Sequence, residues 1–202
     1  FFIIFVKIIP FTPRDVMKNK DIFTFRDAEK QAGPVAFSTM LKPAGSACNL
    51  DCHYCYYLDK AVQYGGKQAV MSDELLELYV RQYIEANDVD TVQFCWHGGE
   101  PLLLGVDFYR RAMDFQQKYA DGKRIENTLQ TNGTLVDEAW CDLFAGNNFL
   151  VGISLDGPQD IHDAFRLTKG GRLTFERVMQ TIGMFQRSGV EYNTLSVVNR
   201  LC

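Results

Sequence analysis

KPAGSACNLDCHYCYYLDK, residues 42–60, carries three of the chain's six cysteines, Cys48, Cys52 and Cys55, at the spacing C-x3-C-x2-C. Thiolates this close on one polar, loop-like segment can surround a single metal centre and leave one coordination position open, as in an iron–sulfur cluster with three protein ligands. A structural zinc ion would need a fourth ligand, and the three histidines supply no partner pair at zinc-binding spacing. Zinc and three unligated structural cysteines remain alternatives to the iron–sulfur cluster that we favour.

Strand-like and helix-like segments alternate around this loop. Apolar runs predict strands at residues 35–41, 91–95, 125–131, 150–155 and 192–198. Amphipathic helical patterns lie between them, at residues 75–83, 108–119, 136–144 and 175–185. This alternation predicts an α/β fold with a parallel sheet, either doubly wound or barrel-like.

The ends of two helices carry capping signals. Ser72 precedes the first helix as a predicted N-cap, with Asp73 and Glu74 in the first turn, where they favour the positive end of the helix dipole. Thr174 precedes the last helix, and Gly189 is predicted to end it.

Four unusual polar clusters each follow one of the first four predicted strands. They are the cysteine loop and residues 97–101, 130–134 and 154–158. In parallel α/β folds, ligand-binding residues gather in the loops after the carboxyl ends of the strands. We therefore expect the four clusters to converge on one face.

Composition excludes several classes of function. The 202 residues carry 21 − 25 = −4 formal charges, and these charges are interspersed, so no basic face for nucleic acid is expected. The apolar run at residues 1–9 contains Lys7 and stops at Pro10, which is too short to span a membrane. The crowded cysteines do not resemble a disulfide framework, which favours a reducing cytoplasm.

The chain divides at about residue 33. Residues 1–33 lack a clear period and are predicted to be an N-terminal appendage to a single domain at residues 34–202. The chain does not begin with Met, and it stops at Cys202 directly after the apolar run at residues 195–198. We therefore expect a fragment of a longer protein.

The cysteine motif resembles that of the radical S-adenosylmethionine (SAM) superfamily, whose C-x3-C-x-aromatic-C signature is matched by Cys48, Cys52, Tyr54 and Cys55. Residues 34–199 further resemble the anaerobic sulfatase-maturating enzymes, through KPAGSACNLDCHYCYYLDK, WHGGEPLL, LQTNGTL and GISLDGPQDIHDAFR. The resemblance implies a partial, six-strand (β/α) barrel of the TIM type, truncated here after about the fifth strand. A cysteine-rich domain with two further iron–sulfur clusters would follow and is absent from these residues.

The same resemblance implies the chemistry. The three cysteines would hold a [4Fe-4S] cluster that binds and reductively cleaves SAM, and the resulting radical would remove a hydrogen from a Cys or Ser β-carbon in a sulfatase. Further oxidation would give Cα-formylglycine, with electrons from a flavodoxin-type or ferredoxin-type donor. No catalytic residue is assigned within residues 1–202, and the chain alone is expected to be marginally stable, to cleave SAM slowly and to form no formylglycine.

The resemblance also assigns residues to SAM. Gly98 and Gly99 would let the backbone approach the methionine moiety, and Glu100 would accept a hydrogen bond from its ammonium group. Ser154 would meet the ribose and Arg166 the carboxylate. The alternatives are a tight turn for residues 98–100, a strand-end cap for Ser154 and a surface position for Arg166.

The remaining predicted site residues are Gln130 and Asn132, which would line the SAM or peptide pocket, and Tyr54, whose ring would face adenine. Turn formation by Asn132 and loop packing by Tyr54 are the alternatives. His97 is expected to hydrogen-bond a peptide backbone. Surface or loop positions are expected for His53 and His162, and structural roles for Cys95, Cys141 and Cys202.

Two other functions stay open at this level. One is a different peptide-modifying radical SAM enzyme, because the cluster and SAM residues are widely shared. The other is a non-catalytic metal-binding or interaction module, including an inactive iron–sulfur fragment.

Overall fold

A computed structural model describes residues 36–57, 60 and 70–198. The predicted appendage at residues 1–33 and the thiol of Cys202 lie outside the described residues.

Strands and helices alternate along the described chain, as the sequence predicts. The strands are β1 (Met40–Leu41), β2 (Thr91–Trp96), β3 (Arg124–Thr131), β4 (Phe149–Ser154) and β5 (Glu191–Leu195). The helices are α1 (Asp73–Ala86), α2 (Val106–Tyr119), α3 (Glu138–Gly146), α4 (Gln159–Phe165) and α5 (Phe175–Ser188), and a short 3-10 turn spans Pro101–Leu104. Within the described residues, we find no helix with the length and apolar character needed to cross a membrane.

The five strands form one parallel sheet in the order β1-β2-β3-β4-β5. Each strand pairs with the next one along the chain, with Thr91 opposite Arg124 and Asn127 opposite Phe149. A doubly wound sheet would reverse its order at a switch point. The unbroken order confirms the predicted α/β class and favours the partial barrel over the doubly wound alternative.

The core lies between the sheet and the helices. Val92, Phe94 and Trp96 alternate along β2 and are almost fully buried. The ring of Trp96 packs edge-on against Tyr109 of α2, with centroids 5.3 Å apart. Burying large apolar side chains of this kind contributes roughly 1.5–3 kcal/mol each.

The alternate side chains of the same strands lie on the other face of the sheet. They are more polar and less buried: Gln93 is exposed, and Cys95, Thr128 and Gln130 are partly buried. A half-polar strand pattern at the centre of a parallel sheet is unusual, because such strands are normally apolar on both faces. Among residues 36–57 and 70–198 no helix packs against this face, which we call the helix-free face, and it has the character of a ligand-facing surface.

Both edge strands are shorter than predicted. In the predicted strand 35–41, only Met40–Leu41 pairs with β2, and residue 35 is not described. The backbone of Phe37 instead makes hydrogen bonds to side chains at the C-terminal end of α1. Its N–H donates to Oδ1 of the C-cap residue Asn87 at 3.1 Å, and its carbonyl accepts from the Tyr83 hydroxyl. At the other edge, β5 ends at Leu195 because the Val197 N–H donates to Asp156 Oδ1 at 2.9 Å.

The predicted helix ends are mostly confirmed. The Ser72 side chain accepts from the Leu75 N–H, and Gly189 ends α5 with φ at +68°. Thr174 stands at the N-cap position of α5 but makes no side-chain cap. Asp163, on the unpredicted helix α4, performs that task instead, since its Oδ1 accepts from the N–H groups of Thr174 and Phe175.

Candidate functional site

The cysteine loop is attached to the loop that follows β2. The N–H groups of Gly99 and Glu100 donate to the carbonyls of Gly45 and Ala47, at 3.0 and 2.7 Å. These two bonds run between backbones, so the two loops lie side by side with no side chain between them.

Glycine is required at this contact for a steric reason. A Cβ on Gly99 would lie 2.1 Å from the carbonyl oxygen of Ala47, and one on Gly98 would lie 2.8 Å from that of Gly45. Gly98 also has φ at +128°, where other residues are strained. The two glycines thus allow close approach to the cysteine loop itself, and their predicted approach to methionine stays a prediction.

A second attachment joins the cysteine loop to the segment after α4. Asp51 N–H donates to the Leu167 carbonyl at 2.8 Å, and His53 N–H donates to the Phe165 carbonyl at 3.0 Å. Cys52 lies between these two bonds in sequence. Its backbone position is therefore set from both sides.

A third attachment runs through side-chain amides after β3. Asn132 Nδ2 donates to Asn49 Oδ1 at 2.9 Å, and Asn49 Nδ2 donates to Thr134 Oγ1 at 2.8 Å. Sequence reasoning missed Asn49 and Thr134, since isolated polar loop residues carry no signal of a distant partner. The Tyr54 hydroxyl also donates to Asp156 in the loop after β4, so the loops after β2, β3 and β4 all meet the cysteine loop, which agrees with the predicted convergence.

The three thiols of this loop are free and partly or fully buried. Burial raises the pKa of Cys48, an effect opposed by the N–H of Leu50, and burial raises the pKa of Cys52 to about 11. Metal binding would favour the thiolates, because a metal supplies the positive charge that burial otherwise denies them.

The arrangement of these thiols bears on the kind of metal centre. Among the described residues, no group of three Cys, His, Asp or Glu side chains is arranged to hold a single metal ion. The donors that this loop offers are three thiols, whereas a structural zinc ion needs a fourth ligand and a [4Fe-4S] cluster can be held by three thiolates with one iron left open. The donor set fits a cluster better than zinc.

Glu100 is fully buried, with 0% of its surface exposed. Its Oε1 accepts from the Leu102 N–H and the Thr131 hydroxyl, and its Oε2 accepts from the Asn132 N–H at 2.8 Å. The carboxylate therefore ties the loop after β2 to the loop after β3. Both of its oxygens accept from protein donors, and its predicted bond to the SAM ammonium group stays a prediction.

This burial predicts a pH dependence. Burial raises the pKa of Glu100 from 4.5 to about 7. A carboxyl pKa raised on folding gives stability at low pH that is lost as the pH rises through the folded value. The stability of the native chain relative to Glu100→Gln should therefore fall between pH 4.5 and about 7, by about 3 kcal/mol at 1.36 kcal/mol per pKa unit.

Urea unfolding of both proteins across this pH range measures the difference. His97 and His162, whose pKa values are lowered by burial, act in the opposite direction in the same range. They are present in both proteins, so their contribution cancels in the comparison. A difference that stays constant with pH would contradict the prediction.

Arg166 is buried, with 8% exposure, which excludes the surface position held open above. Its Nε and Nη2 donate to the two oxygens of Asp156, at 2.7 and 3.0 Å. The Tyr54 hydroxyl also donates to Asp156, and the Arg166 guanidinium lies 5.4 Å from the centre of the Tyr54 ring. Arg166 is thus fixed in place between the cysteine loop and the loop after β4.

Asp156 is the largest omission of the sequence analysis, which included it in the polar cluster at residues 154–158 and gave it no role. It is 2% exposed and accepts four hydrogen bonds, from Arg166, Tyr54 and Val197. Burial alone would raise its pKa, but these donors, Arg166 first, bring the pKa below its ordinary value. The Asp156-Gly157-Pro158 sequence is a turn signal, and nothing in it marks a buried charge.

Ser154 and Gln130 are neighbours on the helix-free face of the sheet. Gln130 Nε2 donates to Ser154 Oγ at 3.1 Å. Between them on β4 lies Gly152, where a Cβ would be 2.1 Å from Gln130 Oε1. The glycine therefore allows the Gln130 side chain to cross β4 and reach Ser154.

The histidines differ from one another. His53 is exposed, as expected. The expectation for His162 is wrong: the ring is fully buried, accepts from the Asp156 N–H at 3.3 Å and bonds the Thr174 hydroxyl at 3.0 Å. His97 is half-buried, and its Nδ1 accepts from the next residue's N–H at 2.7 Å. Cys95 and Cys141 are free thiols outside the cysteine loop.

The fold and this site define a class of protein. A family model described as the radical SAM superfamily matches residues 43–200, and the chain belongs to that superfamily. Its members use a [4Fe-4S] cluster and SAM, so the predicted cofactors are confirmed at the level of the superfamily.

Within the superfamily, the predicted resemblance to anaerobic sulfatase-maturating enzymes is confirmed. The chain is 50% identical over 161 residues to a serine-type enzyme of Bacteroides thetaiotaomicron, covering 79% of this chain and 39% of the relative. It is 44% identical over 168 residues to a cysteine-type enzyme of Clostridium novyi, covering 82% of this chain and 44% of the relative. The chain thus spans less than half the length of these curated relatives.

A solved structure supports the same likeness. Native anSMEcpe with bound AdoMet, which is SAM, superposes with a TM-score of 0.74 at 40% identity, over 79% of this chain and 44% of that chain. Native anSMEcpe has also been solved with bound AdoMet and the Cp18Cys peptide, and it superposes with a TM-score of 0.72.

Proposed function

We propose that this chain is the SAM-cleaving part of a sulfatase-maturating oxidoreductase, which oxidises a Cys or Ser of a sulfatase to Cα-formylglycine. One observation carries the proposal: the cysteine loop meets the loops after β2, β3 and β4, in a chain 50% identical to a named sulfatase-maturating enzyme. The relatives include both serine-type and cysteine-type enzymes, so the substrate side chain is left to experiment.

Cys48, Cys52 and Cys55 are the proposed cluster ligands. When bound, the cluster supplies the electron that cleaves SAM reductively. The part played by the protein is to hold three thiolates on a loop that hydrogen bonds attach to its neighbours, and to exclude water from them.

Arg166 and Ser154 are the proposed partners of SAM. Arg166 donates to Asp156 from Nε and from one N–H of Nη2, and no described residue accepts a hydrogen bond from Nη1. The planar guanidinium can therefore bind a second carboxylate, such as that of the methionine moiety. Ser154 Oγ accepts from Gln130, which leaves its own proton to donate to a ribose hydroxyl.

The other proposed SAM contacts are supported less directly. Gly98, Gly99 and Asn132 belong to loops that border the cysteines. The Tyr54 ring, proposed as the surface for adenine, also packs against Phe165 with centroids 5.7 Å apart. By contrast, Glu100 would affect SAM binding indirectly, by joining the loop after β2 to the loop after β3.

The proposed partners follow from the same function. They are a sulfatase polypeptide and a flavodoxin-type or ferredoxin-type electron donor, in the cytoplasm. The polar, helix-free face of the sheet, with Gln93, Thr128 and Gln130, supports a peptide-binding role, because extended backbone needs polar partners.

An assay of the full-length gene product tests the proposal, because the match to this chain covers only 39% and 44% of these two relatives. The protein is reconstituted anaerobically with iron and sulfide and mixed with SAM, dithionite and sulfatase peptides that carry Cys, Ser or Ala at the target position. We expect 5′-deoxyadenosine, together with an aldehyde in the Cys or Ser peptide but not in the Ala peptide, detected by mass spectrometry. SAM cleavage without conversion of either peptide would overturn the sulfatase assignment.

A further inference from the structure

Asn132 contacts the cysteine loop at a sulfur atom. Its Nδ2 lies 3.7 Å from Cys48 Sγ, within hydrogen-bonding distance for sulfur, and the backbone N–H of Leu50 lies 3.4 Å from the same sulfur. All three cysteines of the motif lie in the described residues, and Cys48 is the one whose sulfur accepts N–H donors there.

The orientation of the Asn132 amide is fixed by its other end. Oδ1 accepts from the Thr134 N–H at 2.9 Å and from the Thr134 hydroxyl at 2.7 Å. A flipped amide would set its NH2 group against the backbone N–H donor, which cannot accept. The NH2 group must therefore face Cys48 and Asn49.

The backbone of Asn132 is held as firmly as its side chain. Its N–H donates to Glu100 Oε2 at 2.8 Å, and Asn132 is only 8% exposed. Water therefore competes weakly for the contact with sulfur, and an N–H dipole acts more strongly where water is excluded.

We propose that Asn132 sets the reduction potential of the cluster by donating an N–H···S hydrogen bond to Cys48. The inference rests on the proposed role of Cys48 as a cluster ligand. One-electron reduction, [4Fe-4S]2+ + e− → [4Fe-4S]+, takes its electron from an external low-potential donor and increases the negative charge shared by the thiolate sulfurs. A hydrogen bond to such a sulfur stabilises the reduced form more than the oxidised form, and thus raises the potential. Asn132 is a positioning residue that acts through Cys48.

A redox titration of the reconstituted protein without SAM tests this, with titanium(III) citrate as reductant and the electron paramagnetic resonance signal of the reduced cluster as readout. Asn132→Asp keeps an acceptor for Thr134 but replaces the donor by an oxygen, and Asn132→Ala removes the amide without adding charge. We expect a more negative midpoint potential in both, and the larger shift in Asn132→Asp.

A control variant separates the hydrogen bond from a general effect of the substitution. Asn147→Asp makes the same chemical change at the end of α3, where Asn147 Nδ2 donates to the Leu143 carbonyl. Asn147 precedes the amino end of β4, whereas the cysteine loop meets loops at the carboxyl ends of the strands. This variant should keep the native potential.

The outcomes distinguish this inference from the proposed function. A native protein that binds no cluster would defeat the ligand assignment itself. A native-like potential in Asn132→Asp, an equal shift in Asn147→Asp, or loss of iron from both Asn132 variants would each overturn the redox role. The sulfatase substrate does not enter the measurement.

Discussion

Cys52→Ala is expected to abolish binding of the [4Fe-4S] cluster, and Cys48→Ala and Cys55→Ala should do the same. Each thiolate fills one of only three protein positions on the cluster, and no other cysteine of the described chain belongs to this loop. The loop is fixed by bonds to its neighbours, so a distant thiol cannot take the vacant position without breaking them. Iron and sulfide analysis after anaerobic reconstitution should fall from about four irons per chain to background.

Cys141→Ala is the matched control. This substitution also removes one thiol, but the Cys141 thiol is buried on α3 among core side chains. Its variant should bind iron as the native chain does. A full cluster signal in Cys52→Ala would show that the ligand assignment is wrong.

Asp156→Ala is expected to lower the free energy of unfolding by about 3–5 kcal/mol, because it leaves a buried guanidinium without its carboxylate. Arg166 would lose both of the bonds that its Nε and Nη2 donate, at a position with 8% exposure. Tyr54 and the Val197 N–H would lose their acceptor as well. Denaturant unfolding followed by circular dichroism measures the change.

Two further variants make this prediction specific. Asp107→Ala removes a carboxylate from an exposed pair with Arg110, a kind of pair worth at most about 1 kcal/mol. The double variant Asp156→Ala/Arg166→Ala removes both buried charges, and it should be less destabilised than the sum of the single variants. A loss below about 1 kcal/mol in Asp156→Ala would mean that Arg166 finds another partner or water.

Much of the fold could be predicted because its signals are local. The helix periodicity at residues 75–83, the Ser72 cap and the Gly189 end each depend on a few adjacent residues, and all are confirmed. The N-cap of α5 could not be predicted in this way, because Asp163 provides it from eleven residues before the first donor. The short edge strands have the same cause: partners far along the chain take the backbone groups of Phe37 and Val197.

The candidate site, like the fold, has some features that the sequence predicts and others that it does not. Convergence of the loops follows from strand direction alone, and the structure agrees with it. The protein contacts of each polar group do not follow: Glu100 and the two adjacent glycines contact neighbouring loops, and their predicted contacts with SAM stay predictions. A buried carboxylate and a ligand-facing carboxylate look alike in a sequence.

The hydrogen bonds that hold the cysteine loop involve backbone and amide groups, and they need no iron. In zinc fingers, metal binding and folding are a single event, because the ligands have no fixed positions until the metal arrives. Here the loop loses its conformational entropy when the sheet forms, because Gly45, Ala47 and Asp51 are hydrogen-bonded to neighbouring loops without any metal. We therefore expect the apo-protein to stay folded when oxygen destroys the cluster, so that iron and sulfide could rebuild the cluster without a new round of folding.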